Sequence, residues 1–247
     1  MTSVAVADAE ARPITRARTK TTFYVALSIF MVGIVFVGFW PSYYGPLLRG
    51  SADRPLVIHV HGAVFMGWMA LLVTQVALAW RGRVQTHRRL GQWGIAYGFA
   101  VIAMGIIAGI AAPVMHLHAG DWTLERAAGF VLVTMGDMVL FGSLFVGAVV
   151  YRRKPEIHKR LMLAATVALL FAAVGRLGLI DQRPLLAAIV WLSPLLIGML
   201  YDWRTRGRPH LVYVLGAVWL FVGATRVLAT ESAAWQPIGR AILAAFV

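Results

Sequence analysis

The sequence predicts an all-α integral membrane protein, a polytopic bundle of seven transmembrane helices. The chain has 247 residues, of which 60% are hydrophobic and only 13% are charged. Soluble domains are close to half apolar and a quarter charged, so most of the surface of this protein must face lipid. Helices are the expected spanning element, because a helix satisfies its backbone hydrogen bonds within one segment.

Seven segments approach the ~20 mainly apolar residues that a spanning helix needs. They cover approximately residues 22–40, 56–80, 92–115, 127–151, 161–180, 185–201 and 211–229. The first run closes at Pro41 without a small-residue cleavage site, which predicts an uncleaved helix. The third ends near Pro113, with His116 and His118 in the following loop. The sixth is short and contains Pro194, so it is expected to be tilted, kinked or partly re-entrant.

Positive charge is concentrated on one predicted face of the membrane. Sixteen of the 23 Lys and Arg residues lie in four stretches, at 1–20, 81–91, 152–160 and 202–210. Cytoplasmic loops carry this excess, which predicts a cytoplasmic N-terminus and an extracytoplasmic C-terminus. Topology therefore accounts for the net charge of +13, and nucleic acid is not expected as a partner.

The organisation that follows has three parts. Residues 1–20 form a basic cytoplasmic tail, residues 21–229 form the seven-helix domain, and residues 230–247 form a short extracytoplasmic segment. The last part contains Trp235 and a short apolar run, which is typical of a segment lying along the outer interface.

Cysteine is absent from the sequence. Its absence excludes disulfides, zinc-thiolate sites, iron–sulfur clusters and thiol chemistry. Any metal or cofactor must be held by His, Met, carboxylate or backbone groups. The sequence also lacks a P-loop, a dinucleotide-binding fingerprint, a zinc-protease motif and a nucleophile elbow, so it leaves open whether the protein is an enzyme.

Three basic loops share one pattern, in which an Arg lies six residues before a His and a second base lies four before it. The histidines are His87, His158 and His210, each at the start of an apolar segment. The first two loops match best, and this match indicates duplication of a helical hairpin. The alternative is that cytoplasmic loops are basic for topological reasons and that His suits the interface.

The second segment carries polar side chains at helical spacing. His61, Trp68 and Gln75 follow at intervals of seven residues, and His59 lies just before them. At 100° per residue the three fall on one face, and polar groups within membranes usually face the bundle interior or a cavity. Two interpretations remain open: hydrogen bonding between helices, or a ligand or metal site near the outer face.

His87 heads the third segment above a stripe of glycines. The glycines that keep to this face are Gly91, Gly94, Gly98, Gly105 and Gly109. Such a stripe allows either another helix or a flat ligand to approach the backbone. His158 heads the fifth segment, and Arg176 follows it by 18 residues, five turns along the same face. His87 and His158 are therefore candidate cofactor ligands at the inner face.

Three charged residues lie inside apolar segments: Asp137, Arg176 and Arg226. Charges are costly in lipid, so each marks either a functional site or a pair. Asp137 is expected to pair with Arg176 or with Arg226. If one arginine takes Asp137, the other is free to hold an anionic group, such as a haem propionate, a lipid phosphate or a substrate, because guanidinium binds such groups bidentately.

Several motifs resemble those of a group of uncharacterised multi-pass proteins of bacterial inner membranes. They are His59-Val-His-Gly, His87-Arg-Arg-Leu-Gly and His158-Lys-Arg-Leu-Met, and they span segments two to five, roughly half the chain. The resemblance implies a location in the bacterial inner membrane. It implies no activity, because none is attached to the group.

A histidine heading a helix within His-Arg-Arg-Leu-Gly is also loosely similar to di-haem b-type cytochromes of the ascorbate-reductase kind, whose four-helix core holds one haem near each face. This similarity implies His87 and His158 as inner haem ligands, and His59 or His61 as outer ligands. Arg176 or Arg226 would neutralise an anionic group. The fourth segment departs from the pattern, since it offers Asp137 and no His.

Three hypotheses of function result. The first is a redox protein that binds haem b or another His-ligated metal. The second is a transporter or channel for a small solute or a proton, with the His61–Trp68–Gln75 stripe and Asp137 along its path. The third is a structural or assembly subunit, whose intramembrane charges pair with each other or with a partner. Lipid is the expected environment, and another membrane subunit or a second copy of the chain is the partner that the third hypothesis requires.

Overall fold

The computed structural model describes residues 22–51 and 54–247. The predicted tail at 1–20 lies outside the described residues. All regular structure in the described part is helical, and seven of its helices are long and apolar enough to cross a membrane. The predicted all-α bundle with seven candidate spans is therefore confirmed.

The spanning helices are numbered in chain order. They are α1 (Thr22–Leu48), α2 (Leu56–Trp80), α3 (Val84–His118), α4 (Leu124–Val150), α5 (Pro155–Gly175), α6 (Pro184–Arg206) and α7 (Leu211–Ala229). The last five residues of α7, Thr225–Ala229, form a 3-10 turn, and a four-residue helical turn, Leu179–Gln182, separates α5 from α6. A short helix, α8 (Gln236–Ala244), follows the bundle.

The hydropathy pattern predicts that helix α1 ends at Pro41, but the helix continues past this residue. The chain passes through a π-helical turn over Trp40–Tyr44, in which the Gly45 N–H donates to the Trp40 carbonyl, and continues to Leu48. Proline has no N–H and its ring clashes with the preceding turn of an α-helix. A wider turn accommodates that ring without stopping the helix.

Two other prolines also lie within continuous helices. Helix α3 passes Pro113 and ends at His118, so His116 and His118 lie on its last turn and the expectation of a loop there is wrong. Helix α6 continues through Pro194 for 23 residues. At 1.5 Å per residue that length is sufficient to cross the hydrocarbon core.

Helix α5 lies at the centre of the bundle and packs against α1, α4, α6 and α7. Its middle is built from small and aliphatic residues with little or no exposed surface, including Ala164, Ala168 and Leu170. Small side chains allow neighbouring helices to approach closely, which is the usual packing mode in membranes. A buried hydrogen bond fixes α6 to this core, because Trp191 Nε1 donates to the Val167 carbonyl at 2.8 Å.

The helical hairpins place the three basic turns at one end of the bundle, called here the basic end. It comprises residues 81–83, 151–154 and 207–210. At the opposite end, α8 packs across the start of α4, where Leu243 is fully buried beside Ala128. Trp235 Nε1 donates to the Ala128 carbonyl at 2.8 Å. The segment after α7 is thus fixed to the bundle.

Candidate functional site

A cavity of about 190 Å³ opens between helices α1 to α5 near the basic end. Its walls are mainly apolar. Its polar lining residues are Tyr24, Ser28, Gln75, His87, His158 and Lys159. Both histidines that head the matched hairpins therefore line one cavity, and a largely apolar pocket with a few convergent polar groups is the usual form of a ligand site.

His87 and His158 adopt the same arrangement in their two hairpins. Each lies in the first turn of its helix, and each Nδ1 contacts a backbone carbonyl of the preceding helix. His87 Nδ1 is 3.2 Å from the Gln75 carbonyl, and His158 Nδ1 is 2.8 Å from the Ala148 carbonyl. His210 differs, because its Nδ1 accepts the N–H of Val212 and caps its own helix. The sequence match between the first two loops thus corresponds to a shared contact.

These contacts determine the tautomer of both imidazoles. A carbonyl oxygen can only accept, so the contacting Nδ1 of His87 and of His158 must carry the proton. In the neutral ring, Nε2 is then left with a free lone pair. Neither Nε2 has a hydrogen-bond partner among the described residues. A histidine whose Nδ1–H is bonded to a carbonyl is the usual form of a metal ligand, because that bond orients the ring.

The glycine stripe of α3 divides into two parts. Beside the cavity, a Cβ on Gly91 or Gly94 would meet its nearest atom, on Gln75 or Leu71, at 3.4 Å. Farther along, three glycines make room for side chains of α4: Gly98 for Phe145, Gly105 for Met138 and Gly109 for Thr134. Gly98, Gly105 and Gly109 are packing residues, whereas Gly91 and Gly94 line the cavity near His87 without a side chain of their own.

Trp68 lines the end of the cavity that is farther from the basic end, and it is 2% exposed. Its Nε1 donates to Thr166 Oγ1 at 3.2 Å, and its ring meets Phe141 and Phe145 edge to face. Trp68 therefore makes a hydrogen bond between helices, which is the first of the two interpretations of the polar face of α2. Gln75 lines the cavity and its Oε1 is buried without a hydrogen-bond partner in the described part of the chain. A buried acceptor of this kind is costly unless a ligand or water satisfies it.

The structure does not bring His59 and His61 together around one point. His59 Nδ1 is 2.9 Å from the hydroxyl of Tyr43 in α1. His61 lies against the ring of Phe65, and its Nδ1 is buried without a hydrogen-bond partner among residues 22–51 and 54–247. No group of three or more His, Asp or Glu side chains with metal-binding geometry occurs in these same ranges. Metal binding by His59 and His61 stays a prediction.

The intramembrane charges resolve into one pair and one separate arginine. Arg226 forms an ion pair with Asp137, and also donates to the carbonyls of Val133 and Gly223 at 3.1 and 2.7 Å. Gly136 leaves the space that the arginine side chain occupies. Arg176 is placed elsewhere, at the end of α5. Asp137 was expected to pair with Arg176 or with Arg226, and the structure shows the pair with Arg226.

A buried ionic cluster at the basic end was not predicted. Arg160 donates from Nε and Nη2 to the two carboxylate oxygens of Asp202, at 2.9 and 2.6 Å, and both side chains are 1% exposed. Glu156 bonds Arg160 at 2.9 Å and also pairs with Arg206. The overlooked signal was Pro155, since proline favours the first helical position. A helix starting there turns Arg160 inward.

Lys159 was overlooked for the same reason. It lines the cavity next to His158, forms an ion pair with Glu156 at 2.7 Å, and lies over the ring of Tyr24. The cavity therefore has a cationic group beside its two imidazoles.

No family model, curated protein or solved structure matches the chain.

Proposed function

We propose that this integral membrane protein is a redox protein that binds one b-type haem in the cavity, with His87 and His158 as the axial ligands. One observation carries the proposal: two imidazoles from a repeated hairpin line the same cavity, and each has Nδ1 bonded to a backbone carbonyl and Nε2 free. Imidazole is a common protein ligand of haem iron, and the bound haem would supply one-electron transfer.

The lining around the two histidines offers the ligand chemistry for such a group, while its volume of about 190 Å³ is below the ~300–1,000 Å³ of usual ligand pockets, so a haem would have to move the helices apart. Gly91 and Gly94 present no side chain of their own to the cavity, and Gln75 and Leu71 of α2 lie beside them. The rings of Trp68 and Phe145 form an apolar wall.

Lys159, which pairs with Glu156, is the cation that lines the cavity, and it would have to exchange that partner to neutralise a ligand carboxylate. The sequence suggested Arg176 or Arg226 as the residue that binds an anionic group of the cofactor. Lys159 is proposed instead, because it lines the cavity and the two arginines do not.

The location of the site follows from the positive-inside rule. That rule places the basic end in the cytoplasm, so the proposed haem lies on the cytoplasmic side of a bacterial inner membrane. The N-terminus is then cytoplasmic and the C-terminus is extracytoplasmic. Electron donors for the site are expected on the cytoplasmic side.

The test is an absorption spectrum of the purified protein from haem-supplied cells, oxidised and then dithionite-reduced, with elemental analysis. We expect a Soret band and a reduced α-band that are lost in His87→Ala and in His158→Ala. His118→Ala is the matched control, since His118 lies at the opposite end of the bundle, and it should keep the spectrum. A colourless and metal-free preparation contradicts the proposal.

Transport is the second candidate, and α2 provides the observation that favours it. Both Gln75 and His61, near the two ends of one helical face, have a buried polar atom without a described partner. Unsatisfied polar groups along a membrane helix are typical of a solute or proton path. Flux of protons or small solutes into liposomes that is lost in Gln75→Leu would favour this candidate over haem binding.

A further inference from the structure

The three basic turns repeat one pair of residues. An exposed aromatic ring lies at the end of a spanning helix, and an exposed arginine follows it directly in the chain. The pairs, called here the aromatic–arginine pairs, are Trp80 with Arg81, Tyr151 with Arg152, and Trp203 with Arg204. The three rings are 38, 42 and 64% exposed, in that order. The basic end therefore presents the same chemistry on three hairpins.

Contacts within the turns hold two of the pairs in place. Arg152 Nη1 donates to a carbonyl of the preceding helical turn at 3.2 Å, and Lys154 Nζ lies 5.6 Å from the centre of the Tyr151 ring. One aromatic ring and two cationic groups thus meet on this turn. Trp80 Nε1 donates to Thr22 Oγ1 at 3.1 Å, which fixes the indole beside the start of α1.

Positive charge at the basic end greatly exceeds negative charge. The four basic stretches of the sequence contain 16 Lys and Arg but only four Asp and Glu. Both acids of residues 1–20 are within this count, so the surplus does not depend on where that segment lies. The other two acids, Glu156 and Asp202, already pair with bases of α5 and α6. A surplus of this size on one surface attracts an anionic partner.

The exposed rings indicate which anionic partner is present. Trp and Tyr collect where a membrane meets water, because one end of the ring is apolar and the other is wet. A fourth ring, Trp93, follows Arg89 by one turn of α3 and is 78% exposed. A soluble acidic protein would account for the charges but not for the rings beside them. An anionic phospholipid accounts for both, with its headgroup at the arginine and its upper acyl chains against the ring.

We propose that the aromatic–arginine pairs bind the headgroups of anionic phospholipids and give the protein a preference for these lipids over zwitterionic ones. Guanidinium matches phosphate geometry bidentately. A zwitterionic headgroup also carries a cation, which the surplus positive charge repels. The proposal does not rest on haem binding, because none of the six paired residues lines the cavity.

The test uses the full chain in phosphatidylcholine vesicles that contain a trace of spin-labelled phosphatidylglycerol or spin-labelled phosphatidylcholine. Electron paramagnetic resonance gives the fraction of each label that is immobilised by the protein, and hence their relative association constant. One base near an anionic headgroup raises affinity by about fivefold. Averaged over all lipid positions, we expect phosphatidylglycerol to be preferred by about twofold or more in the wild type.

Three triple variants locate the preference. Arg81→Gln, Arg152→Gln and Arg204→Gln together should bring the relative association constant close to one. The same three positions changed to Lys retain the charge and should retain most of the preference. The matched control removes three arginines from the opposite end, through Arg49→Gln, Arg126→Gln and Arg183→Gln, and it should behave like the wild type.

Three results overturn the proposal. A relative association constant of one in the wild type would leave the surplus charge to a soluble acidic partner. An unchanged preference in the Gln variant of the basic end, with a circular dichroism spectrum that shows it folded, would exclude the aromatic–arginine pairs. An equal loss in that variant and in the control would show that the preference follows net charge and not these positions.

Discussion

Removal of the Asp202 carboxylate is the most direct test of the packing between α5 and α6. Asp202→Asn preserves the size of the side chain and leaves the buried guanidinium of Arg160 with only the half-exposed carboxylate of Glu156 as a counter-charge. Both partners are 1% exposed and are joined by two hydrogen bonds, at 2.9 and 2.6 Å. Breaking a buried pair by removing one partner costs about 3–5 kcal/mol, so the free energy of unfolding should fall by that amount.

The rim of the same cluster contributes little to this figure. Glu156 and Arg206 are 48% and 32% exposed, and ion pairs at such positions are typically worth about 0–1 kcal/mol. The remaining charge on Glu156 therefore offsets only part of the loss. A double variant, Arg160→Met with Asp202→Leu, removes both buried charges and should be less destabilised than Asp202→Asn alone.

The assay is reversible unfolding in mixed micelles, with increasing dodecyl sulfate and tryptophan fluorescence as the readout. Glu125→Gln serves as the control, since Glu125 pairs with Arg240 at 56% and 43% exposure and should change stability by less than about 1 kcal/mol. An Asp202→Asn variant that loses no more than this control refutes the reasoning. A double variant less stable than the single variant refutes it as well.

Two further perturbations have defined outcomes. Gly98→Ala would place a Cβ into the ring of Phe145 and should destabilise by about 1–3 kcal/mol, whereas Gly94→Ala, with its nearest neighbour at 3.4 Å, should be close to neutral; equal losses in the same unfolding assay contradict this. His210→Ala removes a helix N-cap and should cost about 1 kcal/mol. Burial, with the charge of Arg160, lowers the pKa of His210 below its ordinary value. The unfolded chain then binds the proton more readily, so the stability of the wild type should fall as pH drops below about 6.5. The same fall in His210→Asn would show that His210 is not the group responsible.

The sequence was sufficient to predict the spanning segments, because lipid imposes a long apolar run on every helix. The predicted starts of two helices are wrong, because the first turn of each of these helices is charged. Helix α5 begins at Pro155 rather than near 161, and α3 begins at Val84 rather than near 92. A hydropathy pattern detects the lipid-facing part of a helix, whereas the turns at the membrane surface follow local signals such as proline at the first position.

The candidate site was predicted in part. The match between the loops of His87 and His158 identified the two residues, but it did not show that they share a cavity. That depends on the packing of α2, α3, α4 and α5 against one another. The pairing of Arg160 with Asp202 was beyond reach for a related reason. The two residues are 42 positions apart, and each counts as an ordinary surface charge until the helices carrying them are placed side by side.

The docking of α8 also has a consequence for the order of assembly in the cell. Trp235 and Ala128, which it joins, are separated by 107 residues. At the usual rate of synthesis, ~5–20 residues per second, the start of α4 waits roughly 5–20 s before its cover is made. During that interval Ala127, Ala128 and Val131 lack their contact with the segment that contains α8. A chain interrupted before Trp235 would leave this face of α4 without its contact to α8 for good.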